Sequence, residues 1–278
     1  MVERRVRRVP LSARVADLVA GAVLRLGGWL APLVLALSAA WLAAQALKGS
    51  GTSDWGRVFG WVAGSMVLGT CGVLLALLPA FAGALLSRPA RLGAFARSTA
   101  ALPLSVPAFV ILHQLAPAVS QTTGLPAQHP VWAVLALGWG MAMPLWLSFS
   151  DALERRTIPR WTEGALALGA HPRQILTSLT LPSARPGLGA SLLRAVARAS
   201  GETMAVLLVS GNFSSFLGGA DGSATAGVAL VLDLPEALPG GDLWRDLMRG
   251  ALLLSLWAMA LHAVAQRLDP RWIEMEAE

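Results

Sequence analysis

The chain has 278 residues, 55% hydrophobic and only 14% charged, with mean hydropathy +0.60. A soluble domain has about a quarter of its residues charged, so a soluble globular enzyme is excluded. The net charge of +6 would point to nucleic acid in a soluble chain, but here the apolar residues form blocks of bilayer length, and in that setting Lys and Arg set orientation. The expected fold class is all-α, a polytopic membrane protein, because a helix closes its backbone hydrogen bonds within one segment.

About 20 apolar residues cross a bilayer, and six spans are predicted: 28–47, 58–86, 99–118, 131–149, 187–210 and 248–266. The second is long enough to tilt or overrun the membrane. The third is weakened by Pro103 and Pro107. Sixteen of the 22 Lys and Arg residues fall on one side of this arrangement, in the arm 1–27, the segments 87–98 and 150–186, and the tail 267–278. Four fall on the other side, Lys48, Arg57, Arg245 and Arg249, and Arg194 and Arg198 lie within a span. This asymmetry predicts a multi-pass membrane protein with both termini in the cytoplasm, and no nucleic-acid partner. The expected layout is a basic arm at 1–27, a first span and external loop at 28–57, a membrane unit at 58–266 and a tail at 267–278. The arm is too long, and the apolar core behind it too extended, for a cleaved signal peptide. Cys71 sits in an apolar block and reads as a small core residue.

The loop between the fourth and fifth spans, 151–186, has its own pattern. Pro159 suits a first helical position. Trp161, Ala165, Leu166 and Leu168 then form an apolar stripe, and Gly169 suits a left-handed C-terminal turn. Pro172 opens a second short helix with Ile175, Leu176 and Leu179 on one side, which Pro182 and Pro186 are expected to end. The pattern alone fits a hairpin lying on lipid as well as one presented to a partner. The residues Glu163-Gly164-Ala165, three residues, Gly169, nine residues, Leu179-Thr180-Leu181-Pro182 resemble the EAA loop of bacterial ABC-importer permeases. The departures are Gly164 for the second Ala and Leu179 for Ile. The resemblance implies a type I ABC importer permease fold, about six transmembrane helices and an ABC transmembrane type-1 domain at 58–266. It also implies a hairpin that docks into a homodimer of ATP-binding cassette subunits through Glu163, Ala165, Gly169, Leu181 and Pro182. Glu163 would anchor the turn, either by pairing with an Arg or by capping backbone donors.

The fifth span contains RAVARASGETMAV, residues 194–206. On a continuous helix Arg194, Arg198 and Glu202 share one face. A charge at membrane depth costs roughly 2.5–3.5 kcal/mol on insertion scales, so this face must turn toward protein or a water-filled cavity. One reading is an Arg198–Glu202 pair that fixes helix packing. The other is an oxyanion site, since one cation is left over, Ser200 and Thr203 are nearby, and guanidinium binds such oxygens bidentately. ARASGETMAVLLVSGN, residues 197–212, resembles the R-A-x-G-E-T-M-A segment of phosphate ABC-transporter permeases of the PstC type. Met204 favours that type over the PstA type. The resemblance implies that Arg198 and Glu202 act in phosphate passage; Arg194, which has no counterpart in that family segment, and Thr203 lie beside them and are expected to help from the residue pattern alone. The resemblance also implies a PstA-type sister permease and an external phosphate-binding protein. The same architecture would serve molybdate, tungstate or sulfate, or a non-transporting scaffold or sensor.

There is no G-x-x-x-x-G-K-[ST], and the only lysine is Lys48, so ATP hydrolysis is expected on a separate subunit. His113, His129, His171 and His262 lack metal-ligand spacing, and no cofactor or metal is expected. Residues 213–247 read either as a solvated loop with a short helix at 230–238 or as a docking surface for the binding protein.

Overall fold

The computed structural model describes residues 37–46, 54–86, 105–124, 129–156, 159–210 and 225–268. Among them the regular structure is helical throughout, with no strand. The elements are α1 (residues 37–46), α2 (Trp55–Leu86), α3 (Ser105–Thr123), α4 (Pro130–Arg156), α5 (Pro159–Ala167), α6 (Pro172–Ile175), a π turn (Leu176–Thr180), α7 (Leu181–Ser200), α8 (Met204–Ser210), α9 (Ala226–Asp233) and α10 (Asp242–Leu268). The basic arm, half of the first expected span, the segment 87–98 with the start of the third expected span, and most of the tail lie outside the described residues.

Of the six expected spans, three are helices long and apolar enough to cross a membrane among the described residues: α2, α4 and α10. Their ends differ from the expected ones for local reasons. Asp54 caps α2, its carboxylate accepting from the backbone N–H of Arg57 at 3.1 Å, so α2 starts at Trp55 rather than 58. α10 starts at Asp242 rather than 248, because an acidic first turn complements the helix dipole. α3 carries Pro107 in its first turn, where a missing N–H costs nothing. α3 therefore runs on to Thr123, with Gly124 at φ +72° closing it.

α2 and α4 form the spine. Val73, Ala76, Ala80 and Ala84 recur at helical spacing along α2, and Met141, Leu145, Phe149 and Leu153 recur along α4. The small ridge admits the large one, as packing between membrane helices favours. Ala184 and Ala199 of α7 complete this cluster. A second cluster joins α2, α3, α4, α8 and α9 through Leu68, Ala116, Leu137, Val206 and Val228.

At the opposite end from the hairpin, α1, α2 and α10 are pinned by charge. Asp246 is fully buried. It pairs with Arg57 at 3.2 Å and with Arg249 at 3.4 Å. Arg249 Nε also donates to the Ala46 carbonyl at 3.1 Å, and its guanidinium stands 5.1 Å from the Trp55 ring centroid. Arg245 is buried too and pairs with Asp242. The sequence pattern assigns Arg245 and Asp246 to an external loop, whereas together with Arg249 they belong to the first two turns of α10.

Candidate functional site

The fifth expected span is two helices with a break. α7 ends at Ser200 and α8 begins at Met204. The Gly201 N–H bonds to the Arg198 carbonyl at 3.1 Å, and the Glu202 N–H to the Ala199 carbonyl at 3.2 Å. These three-residue closures tighten the last turn, with Gly201 at φ −90°, ψ −2°. The Thr203 carbonyl then accepts from the Leu207 N–H at 3.0 Å and starts α8. Glu202 therefore does not extend the face of Arg194 and Arg198, and no ion pair joins Arg198 to Glu202 among the described residues. The continuous helix over 187–210 is corrected accordingly. The signal was present in Ser200-Gly201-Glu202-Thr203: Gly is the poorest non-proline helix former, and Thr prefers helix starts.

Arg198 is exposed between buried Ala197 and Ala199, while Arg194, Glu202 and Thr203 are half-buried. The depth of the break follows from its contact with α2. A Cβ on Gly69 would lie 2.6 Å from the Ser200 backbone nitrogen, and Gly69 stands near the middle of α2. The break is thus level with the centre of the longest apolar helix. An exposed guanidinium at that depth cannot face hydrocarbon at low cost, so its side of α7 must face protein or water. Thr203 closes the break, its Oγ1 donating to the Gly201 carbonyl at 3.4 Å.

The second candidate region is the hairpin. α5 ends in a Schellman turn: Ala170 N–H bonds to the Ala165 carbonyl and Gly169 N–H to the Leu166 carbonyl, both at 2.9 Å, with Gly169 at φ +82°. The left-handed turn expected at Gly169 is present. α6 opens with a capping box, in which His171 Nδ1 accepts from the Arg173 N–H and Gln174 Oε1 from the His171 N–H. The turn is locked on both sides. Trp161, Leu166 and Leu168 are exposed, Leu168 at 91%. Glu163 and Gly169 are exposed and Ala165 is half-buried. Glu163 has no ion-pair partner among the described residues.

The end expected at Pro182 and Pro186 does not occur. α6 passes through the π turn straight into α7. Pro182 has no N–H for the Ser178 carbonyl. The chain widens instead, the Leu181 N–H reaching back five residues to the Leu176 carbonyl. Ser183 Oγ donates to the Leu179 and Thr180 carbonyls at 2.8 and 2.9 Å. Leu181 is half-buried and Pro182 exposed at this join.

A helical membrane unit with a broken helix at mid-depth and a rigid hairpin at one end defines a class, and comparison with known proteins agrees. Residues 70–272 match the family described as binding-protein-dependent transport system inner membrane component, and the chain belongs to that family. By family it is an integral membrane component of a binding-protein-dependent transport system. The chain is also similar to the phosphate transport system permease protein PstC of Mycobacterium leprae (strain TN), at 38% identity over 85 residues. That stretch is 28% of this chain and 27% of the relative, so the match spans only about a quarter of the relative's length.

Proposed function

We propose that this chain is the PstC-type subunit of an importer for inorganic phosphate, acting by alternating access in the bacterial cytoplasmic membrane. The observation that carries this reading is the break at Gly201–Thr203, level with the middle of α2 and flanked by Arg198 and Arg194. Discontinuous helices at mid-membrane are where transporters hold their substrates. Arg198, with Arg194 one turn earlier, stabilises the anion in transit. Glu202 keeps the arginines from holding it too tightly, and Thr203 offers a hydroxyl at the break. The name of the PstC relative supports phosphate as the anion.

The partners follow from the same reading. A PstA-type permease covers the exposed Arg198 face, and a binding protein delivers phosphate from outside. A pair of ATPase subunits drives the cycle through the hairpin, from Glu163 and Ala165 past Gly169 to Leu181 and Pro182. The sixteen-to-four bias of cations supports cytoplasmic termini. The membrane unit is 58–266.

The test is labelled-anion uptake by the whole transporter in proteoliposomes, comparing wild type with Arg198→Gln and Glu202→Gln, with assembly checked by pulldown of the ATPase. Arg198→Gln removes a charged hydrogen-bond partner worth about 1.5–3 kcal/mol, so uptake is expected to fall roughly 10- to 100-fold with assembly intact. Preferred uptake of molybdate, tungstate or sulfate by the wild type would replace the substrate. Unchanged uptake in both variants would reduce these charges to helix packing, as a scaffold or sensor requires.

A further inference from the structure

We propose that Gly227 is a positioning residue for anion passage: by carrying no side chain it lets Thr203 seat against α9, and this contact holds the Gly201–Thr203 break in place. The proposal rests on the permease reading above. A Cβ on Gly227 would stand 2.3 Å from Thr203 Oγ1 and 3.2 Å from Thr203 Cβ. The separation from Oγ1 is closer than real Cβ atoms come, so one side must give way, whereas that from Cβ is tight and relieved by a shift of a few tenths of an ångström.

α9 is the side that cannot move. Its first N–H, that of Ala226, donates to Ser65 Oγ of α2 at 3.1 Å. Ser65 is buried and its hydroxyl donates in turn to the Trp61 carbonyl at 3.1 Å. Thr225 caps α9 by accepting from the Val228 N–H at 3.2 Å. Ala226 and Ala229 are buried in a cluster with Trp61, Val62, Leu247 and Met248. The same face of α2 holds the other side of the break, because Gly69 lies one turn beyond Ser65 and backs directly on Ser200. Two contacts a turn apart on α2 therefore fix α9 and the end of α7 relative to each other.

Thr203 is the side that yields. It lies outside both helices; its hydroxyl donates to the Gly201 carbonyl and its carbonyl accepts from the Leu207 N–H. Displacing it strains both bonds and carries Glu202, which lies between, out of position. Gly227 acts on the anion only through Thr203 and does not need to touch it.

The experiment is a double-mutant cycle of Gly227→Ala and Thr203→Ala in the reconstituted transporter. It is read as KM and maximal rate of phosphate uptake, with hydrogen–deuterium exchange of 201–207 measured in parallel. Gly227→Ala is expected to lower the maximal rate at least tenfold with the ATPase still bound, and to speed exchange in 201–207 but not in α2 or α10. With Thr203 Oγ1 removed, the double variant is expected to match Thr203→Ala alone in both rate and exchange. If the two effects multiply instead, or if exchange in 201–207 stays at the wild-type level in Gly227→Ala, the proposal is wrong. Should Gly227→Ala fail to assemble, recovery of assembly in the double variant supports the contact and lack of recovery overturns it. If the wild type carries a different anion, the cycle is read with that one. If it carries none, the permease reading of the site fails while the exchange measurement still decides the positioning claim.

Discussion

Leu168→Asp is expected to abolish capture of the ATPase subunit, and ATP-driven uptake with it, while the chain folds as before. Leu168 is 91% exposed at the tip of the hairpin. Surface substitutions of this kind usually change stability by less than about 0.5 kcal/mol. Trp161 and Leu166 are exposed on the same short element, so the tip offers a partner an apolar cap on a locked turn. Burying a leucine stabilises a complex by about 1.5–3 kcal/mol, and a carboxylate in its place adds a desolvation cost. Together they weaken docking by roughly 100-fold or more. The measurement is a titration of purified ATPase against the detergent-solubilised permease, alongside uptake. Unchanged capture would mean that this face lies on lipid instead.

The second large effect belongs to stability. Asp246→Ala is expected to lower the stability of the folded chain by about 3–5 kcal/mol, the usual cost of removing one partner of a buried ion pair. Asp246 is fully buried and serves both Arg57 and Arg249. Its loss strands two guanidinium groups between α2 and α10, and frees the arginine that holds the Ala46 carbonyl. Asp54→Ala is the control. Asp54 is 60% exposed and 3.9 Å from Arg57, so its ion pair contributes at most about 1 kcal/mol, and its loss as helix cap about 1 kcal/mol more. The midpoint of thermal unfolding in detergent, at one fixed scan rate, reads both. A drop for Asp246→Ala no larger than that for Asp54→Ala would show that the network is not structural.

Much of this was legible in the sequence, for physical reasons. α2, α4 and α10 were readable because twenty apolar residues in a row admit few other structures. The hairpin was readable because Gly169 can take the left-handed turn that other residues avoid, and Pro172 fixes φ at a value suited to a first helical position. The break at Gly201 was missed because apolar residues on both sides hid a polar tetrapeptide from a window-averaged reading. The short helix of 230–238 was displaced to Ala226–Asp233 because Thr225 starts it and Pro235 stops it. The prolines at 182 and 186 were overread as a stop, since a π turn needs only one fewer α-type bond and tertiary packing covers the rest. The burial of Asp246 was not legible at all, because it depends on Arg57, 189 residues away in sequence.

The π turn has a mechanical consequence. Because the chain does not stop at Pro182, the backbone from Pro172 to Ser200 is one continuous helical stretch with the hairpin turn at one end and the helix break at the other. At 1.5 Å per residue this stretch is roughly 40 Å long. A tilt of about 5° at the hairpin swings its far end by about 3.5 Å, more than the radius of a water molecule and comparable to an anion's width. α6, the π turn and α7 follow one another without an intervening loop, so the hairpin and Arg198 stand near the two ends of one helical stretch.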